Sequence, residues 1–180
     1  LSLVGSEMCI RDSSIIEPSS ALISTKAGTV FHTGDWKIDY NPQLGEGLNH
    51  KRLKKLSNEN ILAMVCDSTN VLVEGSSGSE EDVINPLTKI IKECKGRVFV
   101  STFASNVTRL NTLAKIGLAL DRKVALVGLS MWRMVEIAKA CGYLADLPSF
   151  ISEKDIKKID KDKILIICTG SQGEPRGALN

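Results

Sequence analysis

Four short apolar runs, each closed by small polar residues, constrain this chain more than any other feature. They are Ile61–Cys66, Arg97–Phe103, Lys123–Val127 and Lys163–Cys168. A run without polar alternation suits a strand buried on both faces. After each of the first three, apolar residues recur at helical spacing. The stripes are Val83, Ile84, Leu87, Ile90, Ile91 and Cys94, then Val107, Leu110, Leu113, Ala114 and Gly117, then Met131, Met134, Val135, Ala138 and Cys141. Asn106 and Ser130 are placed to cap the second and third helices, and Gly142 to stop the third. Ser79-Glu80-Glu81-Asp82 has the form of a capping box for the first, with Pro86 moving the helix proper toward Asn85. Strand–helix alternation with short links predicts an α/β fold built on a parallel sheet.

The pattern upstream is different. Ala21–Thr25 and Thr29–His32 flank Lys26-Ala27-Gly28, which predicts a β-hairpin with a three-residue loop. Asn41-Pro42 and the glycines at 45 and 47 mark a loop. Residues 49–56 set Lys51, Arg52, Lys54 and Lys55 around Leu53 and Leu56, a short helix whose basic face is either merely solvated or a contact for RNA. Residues 1–13 show no period and lack the basic start, apolar centre and cleavage site of a signal peptide. They look like translated sequencing-adapter read-through, so they are expected to be a non-native scar outside the fold.

Totals bound the function loosely. A length of 180 residues suits one domain or parts of two. No apolar run approaches the roughly 18 to 20 residues that span a bilayer, which predicts no membrane partner. A net charge of +2 leaves nucleic acid open. Cys9, Cys66, Cys94, Cys141 and Cys168 stand singly, without a CxxC, and are expected to be buried thiols of a reducing cytosol. The only histidines are His32 and His50, too few for a self-sufficient zinc site.

The strand ends carry the chemistry. Their tips are Asp67-Ser68-Thr69-Asn70, Thr102-Phe103-Ala104-Ser105-Asn106, Gly128-Leu129-Ser130 and Thr169-Gly170-Ser171-Gln172-Gly173-Glu174-Pro175. Ligands of parallel α/β sheets bind beyond the carboxyl ends of the strands, where helix N-termini suit phosphate. These hydroxyls either hold a phosphorylated substrate or simply cap helices. Phe31–Asp39 adds a carboxylate, Asp35, on a turn that Gly34 lets bend; it is either a metal ligand or a solvated turn residue. There is no GxxxxGK[ST], GxGxxG or GxSxG, and Gly75–Ser79 is a plain loop.

Four of these motifs together, His32–Asp39, Cys66–Asn70, Thr102–Asn106 and Thr169–Pro175, resemble ribonuclease J in order and spacing. That family is the bacterial β-CASP branch of the metallo-β-lactamase-fold nucleases. The resemblance covers residues 14–180. It implies that 14–70 are the C-terminal part of a first metallo-β-lactamase segment, and that 71–180 are the N-terminal part of an incomplete β-CASP domain. It also implies a cytoplasmic ribonuclease that acts in RNA processing and decay, 5′→3′ and internally, with two zinc ions, or manganese or magnesium in their place. The full-length protein would be a homo-oligomer. Asp35 would bridge the metals, facing inward toward Asp67 and the other tips. Asp67 would orient a histidine acting as general acid. Ser68, Thr69, Phe103, Ser105, Asn106, Ser130, Ser171, Gln172 and Glu174 would hold RNA, and His32 would make a structural hydrogen bond.

The departures from the family are large. Its HxHxDH cluster, expected ahead of residue 14, is absent, and its next histidine ligand falls on Ser13. Ile16 replaces a usual proline, and Leu129 a frequent arginine. The two later β-CASP histidines would lie past Asn180. The expectation is therefore an internal fragment, inactive by itself. The alternatives are a non-catalytic phosphate- or nucleotide-binding α/β module, or a hydrolase of the same fold directed at DNA or a small ester.

Overall fold

The structure is a computed structural model that describes residues 5–8, 16, 19–35, 37–45, 47, 50–171, 173 and 177–179. It divides into two compact units, Leu1–Ser79 and Glu80–Asn180.

The first unit holds a four-stranded sheet in the order β1 (Gly5–Met8), β2 (Ala21–Thr25), β3 (Gly28–His32), β4 (Ile61–Val65). Strands β2 and β3 form the predicted hairpin, but its loop is only Lys26-Ala27, because Gly28 already pairs with Thr25. Glycine suits that position because its φ is +141°, which L side chains rarely adopt; a Cβ would also lie 2.9 Å from Leu62 Cδ2, a contact the exposed Leu62 side chain can relieve. After a short helix, α1 (His50–Leu56), the chain returns as β4, parallel to β3. The Thr33 N–H extends that ladder by donating to the Val65 carbonyl at 2.9 Å.

Two expectations fail in this unit. The apolar run 61–66 was expected to be buried on both faces, yet Leu62 is 71% exposed and Met64 55%. Burial of both faces needs packing above and below the strand, and in β4 only Ile61 is even half-buried. Residues 5–8 were set aside with the N-terminal stretch, yet they pair antiparallel with β2 from Gly5↔Ser24 to Met8↔Ala21. Such pairing is made by backbone groups, so an open strand edge accepts a segment with no side-chain period.

The second unit contains α2 (Ile84–Glu93), β5 (Val98–Ser101), α3 (Val107–Ala119), β6 (Lys123–Val127), α4 (Leu129–Ala140) and β7 (Ile164–Cys168). Its three strands run parallel in the order β5-β7-β6. Three of the four predicted runs thus share one parallel sheet, as alternation implies, and the fourth, β4, lies in the other unit. Every residue of the central β7 is buried. Helix α3 buries its whole predicted stripe, Val107, Leu110, Leu113, Ala114 and Gly117, with Ile116 besides; α4 buries Met131, Val135 and Ala138 of its stripe but exposes Cys141, and α2 buries only Ile91 of its stripe and exposes Ile90. Gly117 lets α3 press on β6; a Cβ there would stand 2.5 Å from Val124 Cγ2.

The helix ends follow local sequence where no tertiary partner competes. Asn106 caps α3, its side chain accepting from the Arg109 N–H at 2.9 Å. Gly142 ends α4 at φ +84°: its N–H donates to the Lys139 carbonyl, and the Tyr143 N–H to that of Ala138. Around the expected capping box, Ser79 donates to Asp39 Oδ1 at 2.6 Å, while Glu80 accepts both Nε and Nη2 of Arg109, at 2.9 and 3.0 Å. A 3-10 turn, Glu81–Val83, leads into α2 without a side-chain cap. Ser130 falls inside the first turn of α4, whose N-cap is Gly128 at φ +110°.

Candidate functional site

In the first unit, polar groups gather where β3 and β4 end. Thr33 is buried, its hydroxyl donating to the Gly34 carbonyl and its own carbonyl accepting from Ser20 Oγ, both at 2.7 Å. Gly34 turns the chain at φ +66°, and its N–H donates to His32 Nδ1 at 3.0 Å. His32 therefore makes a local hydrogen bond, as expected of a structural residue. Asp35 follows on the bend and is exposed. That exposure does not match the expected inward-facing carboxylate. No group of three His, Cys, Asp or Glu that could hold a metal ion occurs among the described residues.

Asp67 is better held. Its Oδ1 accepts from the Thr69 N–H at 2.9 Å and the Thr69 hydroxyl at 2.6 Å, a turn that fixes the carboxylate and engages Thr69 with it. Ser68 is exposed beside it. A cleft of about 570 Å³ is lined by Asp67, Ser68, Thr69 and Asn70 together with Lys37 and Ile38. Asp35 is not part of its lining. Sequence reasoning passed over two residues here. Lys37 brings a cation to the cleft, and buried Asp39 ties the loop together by accepting from Ser79 Oγ and from the Asn41 N–H at 2.9 Å. Their signal was a cation and a second acid spaced by two after Asp35, within a stretch read for Asp35 alone.

In the second unit, the parallel strands deliver their tips to one sheet edge. Thr102 is buried and continues the ladder, its N–H donating to the Cys168 carbonyl at 3.0 Å. Phe103 and Ser105 are exposed there, while the Asn106 side chain is engaged in capping α3. Ser130 and Ser171 are exposed on the same edge. Thr169 stands beside Gly128, where a Cβ would meet its hydroxyl at 3.2 Å, and that hydroxyl accepts from the Ala178 N–H at 3.2 Å. Gln172 and Glu174 lie outside the described residues.

The N-terminus of α4 already has an anion. The Gly128 N–H donates to Glu153 Oε1 at 3.0 Å, so a carboxylate sits where the helix dipole favours phosphate. Sequence reasoning missed Glu153, which is remote in the chain and reaches α4 only through the fold. Farther inside, Cys168 ends β7, and burial pushes its thiol above the ordinary cysteine range. The expectation of buried thiols holds for Cys168 but not for Cys66 or Cys141, which are exposed. Cys66 follows an edge strand, and Cys141 lies beyond the buried stripe of α4.

Comparison with known proteins gives a consistent result. Residues 95–180 match the family model described as the ribonuclease J β-CASP domain. The chain is 47% identical over 166 residues to a ribonuclease J of Sinorhizobium meliloti, covering 92% of this chain and 29% of that protein. It is 39% identical over 168 residues to a ribonuclease J of Helicobacter pylori J99, covering 92% and 24%, respectively. The chain thus spans less than a third of the length of these curated relatives. A crystal structure of a protein of unknown function from Enterococcus faecalis V583 superposes with a TM-score of 0.55 at 17% identity, over 92% of this chain and 43% of that one. That likeness bears on fold alone.

Proposed function

The resemblance to ribonuclease J runs along nearly the whole chain, and from that premise we propose that these residues are part of a metal-dependent ribonuclease that hydrolyses RNA phosphodiester bonds internally and from the 5′ end. The observation that carries the reading is the pairing of that resemblance with a parallel sheet whose polar tips share one edge. On this reading, 14–70 close a first metallo-β-lactamase segment and 71–180 begin the β-CASP domain, residues 1–13 being non-native. The whole protein would be a cytoplasmic homo-oligomer working in RNA processing and decay. No helix among the described residues is long and apolar enough to cross a membrane.

The donors described here do not fit a two-zinc centre. Asp35 is exposed, and His32 Nδ1 already accepts from a backbone N–H. Each zinc ion needs about four ligands. The chain's own residues have other work. The turn at Asp67–Thr69 would hold the carboxylate that orients a histidine acid, and Ser68, Phe103, Ser105, Ser130 and Ser171 would meet RNA. Glu153 would leave the N-terminus of α4 when a phosphate arrives, since two anions at one helix end repel.

The test measures binding of a fluorescent 5′-monophosphorylated RNA, its cleavage, and zinc content, all on the purified 180-residue chain. RNA binding that weakens with salt, no turnover, and well under one tightly held zinc per chain are expected. Stoichiometric zinc together with cleavage would defeat the inactive-fragment part of the proposal. Binding of mononucleotides but not RNA would replace the nuclease reading with the binding-module alternative.

A further inference from the structure

Helix α1 carries a feature that the strand tips do not use. His50, Lys51, Lys54 and Lys55 are exposed on it, and the helix contains no acidic residue. Lys51 and Lys55 are four apart and Lys51 and Lys54 three apart, so their ammonium groups are neighbours. Among the described residues no ion pair joins any of them to a carboxylate. Lys51, Lys54 and Lys55, together with Ser57 and Asn58, line a shallow groove of about 360 Å³. Like charges at this spacing destabilise a helix, more so one of seven residues that is marginal by itself. Lys54 and Lys55 gain from the helix dipole in the last turn, and a bound anion would relieve the repulsion between them and Lys51.

At the start of the same helix stands an aromatic platform. The Tyr40 and His50 rings stack with centroids 6.1 Å apart and planes 12° from parallel. Tyr40 is 74% exposed, which for a large aromatic side chain means a ring face open to water. Cations beside an open aromatic face are the pair of features by which proteins hold single-stranded nucleic acid, the cations tracking phosphates and the ring stacking a base. Vesicle surfaces and acidic peptides would use the lysines alone and have no need of the stack.

We propose that Tyr40, His50, Lys51, Lys54 and Lys55 form an accessory track for single-stranded RNA, separate from the Asp67 cleft, with none of its residues lining that cleft. The inference rests on the ribonuclease reading for the identity of the polymer. Its function would be to hold substrate RNA by a second point of contact, raising affinity without touching the scissile bond.

The experiment measures anisotropy of a labelled oligouridylate with the full 180-residue chain over a range of salt. Three variants are compared: Lys51→Gln/Lys54→Gln/Lys55→Gln, Tyr40→Ala and Tyr40→Phe. The triple variant should flatten the slope of log K against log salt by roughly 2, from about 0.7 per phosphate neutralised. Tyr40→Ala should weaken binding about five-fold or more with the slope unchanged, and Tyr40→Phe should retain parental affinity. All three alter exposed side chains, and unchanged circular dichroism verifies that each folds. RNA binding by the parent that none of the variants moves would overturn the track alone. A parent that binds no RNA would overturn both the track and the ribonuclease reading. Loss in the triple variant with no effect of Tyr40→Ala, and equal competition by phosphatidylserine vesicles, would overturn it in favour of a general anion surface.

Discussion

Arg109 grips the buried Glu80 carboxylate with two nitrogens, the strongest geometry available to such a pair. Removing the guanidinium should cost about 1.5–3 kcal/mol, because a carboxylate sheltered from water loses its charged partner. Arg109→Ala should therefore lower the urea midpoint, and Arg109→Lys should recover only part of the loss, since one ammonium cannot span both oxygens. The cysteines give a second measurement at this scale. Under native conditions iodoacetamide should modify Cys66 and Cys141, while Cys168 reacts only after unfolding, as mass spectrometry of the peptides would report. Burial holds the Cys168 thiol protonated, so its folded pKa lies above its unfolded one. Its contribution to stability is thus complete below the unfolded thiol pKa and declines as pH rises toward the folded value. Cys168→Ala should accordingly flatten the loss of stability between neutral and alkaline pH. Residues whose role is local were legible in the sequence: Asn106 caps and Gly142 stops, as their types imply. Ser79, Ser130 and Glu153 were not, because distant Asp39, the N-cap Gly128 and the Gly128 N–H decided their positions.

Two glycines separate backbone strain from packing. Gly142 sits at φ +84° with nothing within 4 Å of an added Cβ, so Gly142→Ala meets only the left-handed penalty of about 1–2 kcal/mol. Gly117 is helical, where alanine would gain about 1 kcal/mol of propensity. Its Cβ would stand 2.5 Å from Val124 Cγ2, however, and Val124 is buried and β-branched, with little freedom to swing aside. We expect Gly117→Ala to destabilise despite the propensity gain, by thermal denaturation beside the parent. Strands β6 and β7 and much of the stripes of α3 and α4 could be read directly, because elements packed on both faces carry their burial in their composition. The exposure of β4 could not, since what covers a strand's faces is a property of the fold and leaves no mark in the strand itself.

The whole chain is two units joined at Ser79/Glu80, and every residue from Ser68 to Gly78 is exposed. Limited proteolysis should therefore cut first within 68–78, for example after Leu72 with chymotrypsin, leaving a persistent fragment that begins near Glu80. A first cut inside α3 or β7 would contradict the division. The resemblance sets a boundary at 70/71, ahead of this one. Which sheet received β4 was not legible, because a parallel connection does not name its partner strand. One feature of the second unit governs how it comes into being. Strands β5 and β6 do not pair with each other: each pairs with β7, which follows both in the chain, and Ile151 bonds the other side of β6. The three-stranded ladder therefore cannot form until Ile164–Cys168 has been made and slides between two strands synthesised well before it.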